Sequence, residues 1–253
     1  MTKAQGRIHV GVGGWTYEPW RGTFYPDKWP QAKELDYAGQ HLTAIEINGT
    51  FYGRQKPASF VKWREAVPEH FVFSAKASRY CVNRKVLADA GEGIGNFFAQ
   101  GIVELGAKLG PILWQLAGTK QFDAADVAAF LALLPTEHEG LKLRHAIEPR
   151  HESFRDPAFF AMCREHGIAV VYAEAPDYPT FEEQTAGFTY ARIQNASETL
   201  PQGYTEAELD RLADLARGWA KDGRDVLLYF ISGDKVRNPA AAQALIARLG
   251  DQT

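Results

Sequence analysis

The chain of 253 residues predicts an α/β protein of the (β/α)8 TIM-type barrel class, folded as a single domain over residues 1–253. Three observations lead there. Short apolar runs alternate with segments of helical spacing, the pattern of a parallel sheet with helical crossovers. The length suits one closed barrel. Polar residues close several of the apolar runs, and α/β folds place their sites at the carboxyl ends of parallel strands.

Eight strands are read at residues 8–12, 43–47, 71–76, 112–116, 144–148, 168–173, 188–193 and 226–231. Helical spacing marks residues 31–41, 58–67, 94–109, 124–134, 157–166, 206–221 and 240–249. Asp123 is placed to cap the fourth of these helices. Asp156-Pro157 opens the fifth with a cap and a proline at its first position, and Gly167 follows it where positive φ is wanted. Thr205 with Glu208 spells a capping box at the start of the sixth.

Alternation then assigns faces. Glu46 and Asn48 share one side of the second strand, and Ser74 and Lys76 one side of the third, while Ile45, Ile47, Phe71 and Phe73 take the other. By the same reading Glu148 and Glu174 end strands five and six on the luminal side, joined by Arg192 from strand seven. Glu46, Lys76 and Glu148 are the expected catalytic set, because clustered burial would push their pKa values apart and suit acid/base exchange. Lys76 could also act as an amine nucleophile if desolvated.

The first long loop carries Trp15, Tyr17, Trp20, Phe24, Tyr25 and Trp29, with Arg21 among them. Such aromatic density in a loop reads either as a plug over one barrel mouth or as a stacking wall for a flat ligand. Trp15, Arg21 and Tyr25 are therefore expected at the substrate, together with Asn48, Tyr52, Gln115, Arg150, His151, Glu174, Arg192 and Tyr229.

Composition and charge exclude several classes. Hydrophobic residues make up 45% and charged residues 23%, as in globular proteins. No stretch has the length of a membrane span and no apolar leader opens the chain, so a cytoplasmic, membrane-free protein is expected. Cys81 and Cys163 read as free thiols. The net charge of −3 does not suit a dedicated duplex-DNA binder. It is nevertheless uneven: residues 54–85 hold eight Lys or Arg against two acids, and residues 174–210 hold eight acids against Arg192. Such a field can steer an anion to one side.

No cofactor is expected. Gly11-Val12-Gly13-Gly14 follows the first strand, but Thr16 stands where the third glycine of a dinucleotide fingerprint belongs, and no helix onset follows. No metal is expected either, since His151 is the one histidine well placed beside the carboxylates and Lys76 would repel a cation.

The motifs resemble a known family. Gly13-Gly14-Trp15-Thr16-Tyr17, Trp20-Arg21-Gly22-Thr23-Phe24-Tyr25-Pro26, Glu46-Ile47-Asn48-Gly49-Thr50-Phe51-Tyr52, Phe73-Ser74-Ala75-Lys76, the run 108–116 and Glu148-Pro149-Arg150-His151 are similar to the YecE-like proteins, family 72 of the domains of unknown function. The resemblance spans essentially the whole chain and implies a TIM-type barrel without implying a reaction. The back half departs from the family pattern. Arg192-Ile193-Gln194-Asn195 stands where Arg-x-His-Gly is usual, Tyr229-Phe230-Ile231-Ser232-Gly233-Asp234 where Tyr-x-Phe-Asn-Asn is usual, and Glu174 where Asp is usual.

Three functional readings follow. The leading one is a hydrolase- or lyase-type enzyme acting on a small anionic or sugar- or nucleotide-like substrate through carboxylate acid/base chemistry. The second is a nucleic-acid processing or binding protein using the basic 54–85 stretch and the aromatic loop. The third is a non-catalytic small-ligand barrel. The sequence does not specify an oligomeric state.

Overall fold

The computed structural model describes residues 5–233 and 235–250. Its strands are β1 (Ile8–Gly13), β2 (Ala44–Ile47), β3 (Val72–Lys76), β4 (Leu109–Gln115), β5 (Glu137–His138), β6 (Leu141–Lys142), β7 (His145–Glu148), β8 (Ala169–Val170), β9 (Tyr172–Glu174), β10 (Phe188–Ile193) and β11 (Asp225–Phe230). Short antiparallel β5 and β6 form a hairpin of their own. The other nine pair in the order β8-β7-β4-β3-β2-β1-β11-β10-β9, every pair parallel. The two ends of that order, β8 and β9, are consecutive pieces of one strand interrupted at Val171. The sheet therefore wraps into a nearly closed barrel of eight expected strands, the sixth in two parts.

The helices are α1 (Glu34–His41), α2 (Gly49–Tyr52), α3 (Pro57–Glu65), α4 (Arg79–Val82), α5 (Gly91–Phe98), α6 (Ala124–Ala132), α7 (Pro157–Glu165), α8 (Glu206–Trp219) and α9 (Asn238–Leu249). The expected caps form. Asp123 accepts from Asp126 N–H, Asp156 from Ala158 N–H, and Thr205 and Glu208 close the reciprocal box. One expectation fails: residues 94–109 are not a single helix. Gly101 adopts φ +91°, packed so that a Cβ there would sit 2.8 Å from the Pro57 ring, and the chain restarts as a 3-10 segment over Ile102–Lys108. The apolar spacing runs on through a break that only the backbone reveals.

Alternation along the strands sorts side chains into two layers. Val10, Val12, Ile45, Ile47, Phe73, Trp114 and Ile147 point outward into the layer beneath the helices. Ala44, Leu113, Ala146, Ala169, Val171, Ala173, Tyr190, Leu227 and Tyr229 fill the lumen. Small residues on most strands leave room for the long side chains of β10 and β11. His145 falls in the outer layer, as its parity requires. Its Nδ1 accepts from Trp114 Nε1–H at 3.0 Å and its Nε2 donates to the Pro135 carbonyl at 2.7 Å. Burial pushes its pKa down to about 4. Cys81 and Cys163 are buried and unpaired. Among the described residues no helix is long and apolar enough to cross a membrane.

Candidate functional site at the carboxyl-end mouth

Arg192 organises the upper lumen. It leaves β10 on the luminal face, fully buried, with Nε and Nη2 on Glu46 at 3.0 and 3.2 Å and Nη1 on Glu148 at 2.6 Å. Tyr190, one luminal step lower on the same strand, donates its hydroxyl to Glu46 Oε2 at 2.8 Å. Gln115 Nε2 donates to Glu148 Oε2 at 3.0 Å, and Arg150 Nε to Glu148 Oε1 at 2.7 Å. Both carboxylates are thus buried, paired and multiply hydrogen-bonded. Burial alone would raise the Glu148 pKa, but Arg192 and Arg150 outweigh it and hold the group below the usual range. Burial likewise opposes the Arg192 charge, and Glu148 and Glu46 overcome it.

Lys76 is placed differently. It ends β3 beside this cluster and is 8% exposed. Among the described residues its ammonium makes no ion pair, resting instead 4.3 Å from the centroid of the Phe51 ring. Short α2 presents that ring, and Thr50 pins α2 to the strand end by donating its hydroxyl to the Lys76 carbonyl at 2.7 Å. Burial, with Arg192 close by, lowers the Lys76 pKa to about 8. Glu46 and Glu148 offset this only in part, and both carboxylates are engaged by arginines.

Above these groups lies a cavity of about 490 Å³. Trp15, Tyr17 and Tyr52 give it aromatic walls, Asn48, Ser232 and Asn238 give it hydrogen-bonding groups, and its charged lining is Lys76, Arg192 and Lys235, with no acidic side chain among the described residues. Gly14 opens the floor: at φ +72° a Cβ there would lie 2.7 Å from the Tyr17 hydroxyl oxygen. That hydroxyl donates to the Gly13 carbonyl at 2.8 Å, and Lys235 Nζ stands 4.5 Å above the Tyr17 ring.

The structure therefore brings Glu46, Lys76, Glu148, Asn48, Gln115, Arg150, Arg192, Trp15 and Tyr52 to one mouth. It separates others from it. Tyr229 lies deeper in the lumen, donating to Ser74 Oγ at 2.7 Å. His151 lies outside the cavity lining, its Nδ1 accepting from Ser153 N–H as the cap of a short 3-10 turn. Glu174 is a correction. Val171 and Ala173 take the luminal positions, so Glu174 emerges on the outside, where Arg211 grips it through two hydrogen bonds of 2.9 Å and Tyr172 donates to it. The placement of strand six was one residue out of phase, and a one-residue slip exchanges faces.

The aromatic loop is mostly internal. Trp20 and Tyr25 are buried, Tyr25 donates its hydroxyl to the Trp15 carbonyl, and Trp20, Phe24, Tyr25 and Tyr37 pack edge to face or tilted. Arg21 turns away to pair with buried Glu34 at 3.1 Å. Of this loop's aromatic side chains only Trp15 and Tyr17 line the cavity. Sequence reasoning missed Tyr190, although its place two residues before Arg192 gave the signal. Tyr17, Lys235 and Asn238 were missed as well, the last two because the segment after strand eight carries no period. Among the described residues no three His, Cys, Asp or Glu side chains gather as metal ligands.

An all-parallel barrel with a buried charge cluster beneath a cation-lined mouth at the carboxyl ends of its strands defines a TIM-type α/β protein. The chain belongs to the DUF72 family, described as protein of unknown function DUF72, which it matches over residues 9–253. UPF0759 protein YunF of Bacillus subtilis (strain 168) is 31% identical over 70 residues, covering 28% of this chain and 24% of that protein. A DUF72 family protein (TM1631) from Thermotoga maritima MSB8 superposes with a TM-score of 0.78 at 20% identity, over 96% of this chain and 98% of that one. 3-keto-D-glucoside 4-epimerase YcjR from E. coli shares the fold at a TM-score of 0.54 and 13% identity, over 97% and 99% of the two chains.

Proposed function

We propose that the mouth cavity is the active site of a lyase-type enzyme that takes a small anionic carbonyl compound, with Lys76 as its amine nucleophile. One observation carries this reading: the Lys76 ammonium is desolvated, turned to the cavity and, among the described residues, in no ion pair with a carboxylate. A pKa near 8 leaves roughly a tenth of the amine neutral at pH 7, a reactive fraction that an ordinary lysine lacks. Lys235 and the Arg192 edge favour an anionic substituent, while Asn48, Ser232 and Asn238 supply hydrogen bonds for hydroxyl groups.

In the proposed step the neutral Nζ adds to the carbonyl carbon. One proton from the amine and one from solvent leave with the carbonyl oxygen as water. The nitrogen lone pair closes a protonated C=N bond, which then takes up the electron pair of a neighbouring bond to give a neutral enamine: a C–C bond whose other fragment leaves as carbon dioxide or a carbonyl compound, or a C–H bond whose proton passes to water. Glu46 and Glu148 serve this reading by fixing Arg192 and setting the local field. Their full engagement makes them poor proton shuttles, so the chemistry centres on the amine rather than on the carboxylates.

The test is reductive trapping. The protein is incubated with pyruvate, glyoxylate and other small oxo acids, treated with borohydride and mapped by peptide mass. A stable adduct confined to the Lys76 peptide, absent in Lys76→Arg, is expected. Labelling spread over surface lysines, or none at Lys76, overturns the proposal. Turnover of any trapped compound separates an enzyme from a barrel that only binds.

A further inference from the structure

The basic 54–85 stretch divides in two. Lys62 and Arg64 belong to α3 on the barrel's flank, and Arg64 donates to the Glu104 carbonyl at 2.8 Å. Arg54, Arg79, Arg84 and Lys85 instead sit in the connections that follow β2 and β3 at the mouth end, Arg79 as the first residue of short α4. None of these four has a carboxylate within 4.0 Å of its charged nitrogens among the described residues.

Two tyrosines stand among these cations. Tyr52 is 67% and Tyr80 62% exposed, the only aromatic side chains among the exposed large hydrophobics of the described residues. The Arg79 guanidinium lies 5.3 Å from the Tyr80 ring centroid, and Arg84 Nε donates to the Tyr80 carbonyl at 2.6 Å, holding the loop.

Two grooves connect the features. One, of about 320 Å³, includes Gly53, Arg54, Ser78, Tyr80, Arg84 and Asn96 in its walls, with Glu92 as its acidic member. The next, of about 690 Å³, is walled by Asn83, Arg84, Lys85, Thr119, Lys120 and Gln121. Arg84 belongs to both. Tyr52 and Gly53 join the first groove to the mouth cavity. The result is a track with cations along its length and π-faces set into it.

We propose that this rim, running from Tyr52 past Tyr80 to Lys85, binds single-stranded nucleic acid, its phosphates meeting Arg54, Arg84 and Lys85 and its bases stacking on the two tyrosines. A cationic groove tracking a backbone beside aromatic platforms is how sequence-tolerant single-strand binders work. A duplex keeps its bases stacked inside and offers the tyrosines nothing. Most aromatic rings of the first loop are internal and Trp15 and Tyr17 face the mouth cavity, so along the rim the stacking role falls to a different loop pair.

The experiment is fluorescence anisotropy of a labelled oligothymidylate with the full chain, over a salt series. Three or four phosphate contacts give a slope of log K against log salt of roughly −2 to −3. Arg54→Gln and Lys85→Gln each reduce that slope by about 0.7. Tyr80→Ala weakens binding at least about fivefold with the slope unchanged, and thermal melts of each variant report whether the fold is kept. No binding at low salt, equal affinity for a duplex, or a well-folded Tyr80→Ala that binds as the parent does overturns the proposal. Arg54, Tyr80 and Lys85 lie outside the mouth cavity, so trapping at Lys76 reads the enzymatic proposal separately.

Discussion

The Arg192 guanidinium and the Glu148 carboxylate meet at 2.6 Å inside the barrel, while the rest of the same guanidinium is spent on Glu46. One cation thus serves two buried anions from different strands. Removing it takes the ion pair from Glu46 and leaves Glu148 with Arg150 alone, whereas removing either anion leaves the Arg192 cation one partner. Arg192→Met should therefore destabilise the protein by about 3–5 kcal/mol in urea unfolding, the range for breaking a buried ion pair. Arg192→Lys keeps the charge but cannot reproduce the fork, and should fall between. A loss under about 1 kcal/mol for Arg192→Met would mean that the cluster is not the keystone of the mouth.

Lys76 should titrate far from an ordinary lysine. Its folded pKa, about 8, is depressed from 10.5. Its stability contribution is therefore undiminished above the unfolded value, declines as pH falls from 10.5 towards 8, and is flat below. Competitive acetylation read by peptide mass should show a midpoint near pH 8 at Lys76 and near 10.5 at exposed lysines. Phe51→Ala, which removes the ring facing the ammonium, should shift the Lys76 midpoint. An unshifted native midpoint of 10.5 would remove the basis for amine chemistry.

His145 should set part of the acid sensitivity. Its folded pKa of about 4 lies below the ordinary 6.5, so the unfolded chain binds the proton first. Stability is then full above pH 6.5, falls as pH drops towards 4, and levels below. Denaturation at pH 7 and pH 5 should show His145→Gln losing less between the two than the parent does. An identical pH dependence in parent and variant would count against a buried neutral imidazole.

Glu174 should matter little to the mouth. It faces away from the lumen onto Arg211, which is half exposed. Glu174→Ala should cost roughly 1 kcal/mol or less, as exposed pairs do, and leave trapping at Lys76 unchanged. Loss of trapping in this variant would return Glu174 to the site.

The sequence was most legible where a period operates. Alternation put Glu46, Lys76 and Glu148 on the luminal side because each closes a run whose apolar partners fix its phase. The same rule misplaced Glu174, since the short run around Val171 is apolar on both faces and has no internal phase. Tyr25 and Arg21 were read as binding residues because a loop hides its partners: Tyr37 and Glu34 lie on a helix, out of reach of any local pattern. What the residues could not reveal was division of labour. Glu46 and Glu148 were read as the acid/base pair, and only the structure shows Arg192 taking both while Lys76, among the described residues, makes no ion pair.

The Glu46–Arg192 contact spans 146 residues of chain, and Glu148–Arg192 spans 44. Contacts of such separation reward the chain only after long loops have closed, which makes them slow to form. The charge cluster is consequently a latch that engages when the ring of strands shuts. A partly assembled barrel leaves Arg192 and Glu46 without each other and Glu148 with Arg150 alone. Folding kinetics should register this as mutations at Arg192 that accelerate unfolding and barely alter refolding, the mark of interactions absent from the transition state. A ligand seated in the mouth would then lengthen the lifetime of the closed ring without hastening its closure.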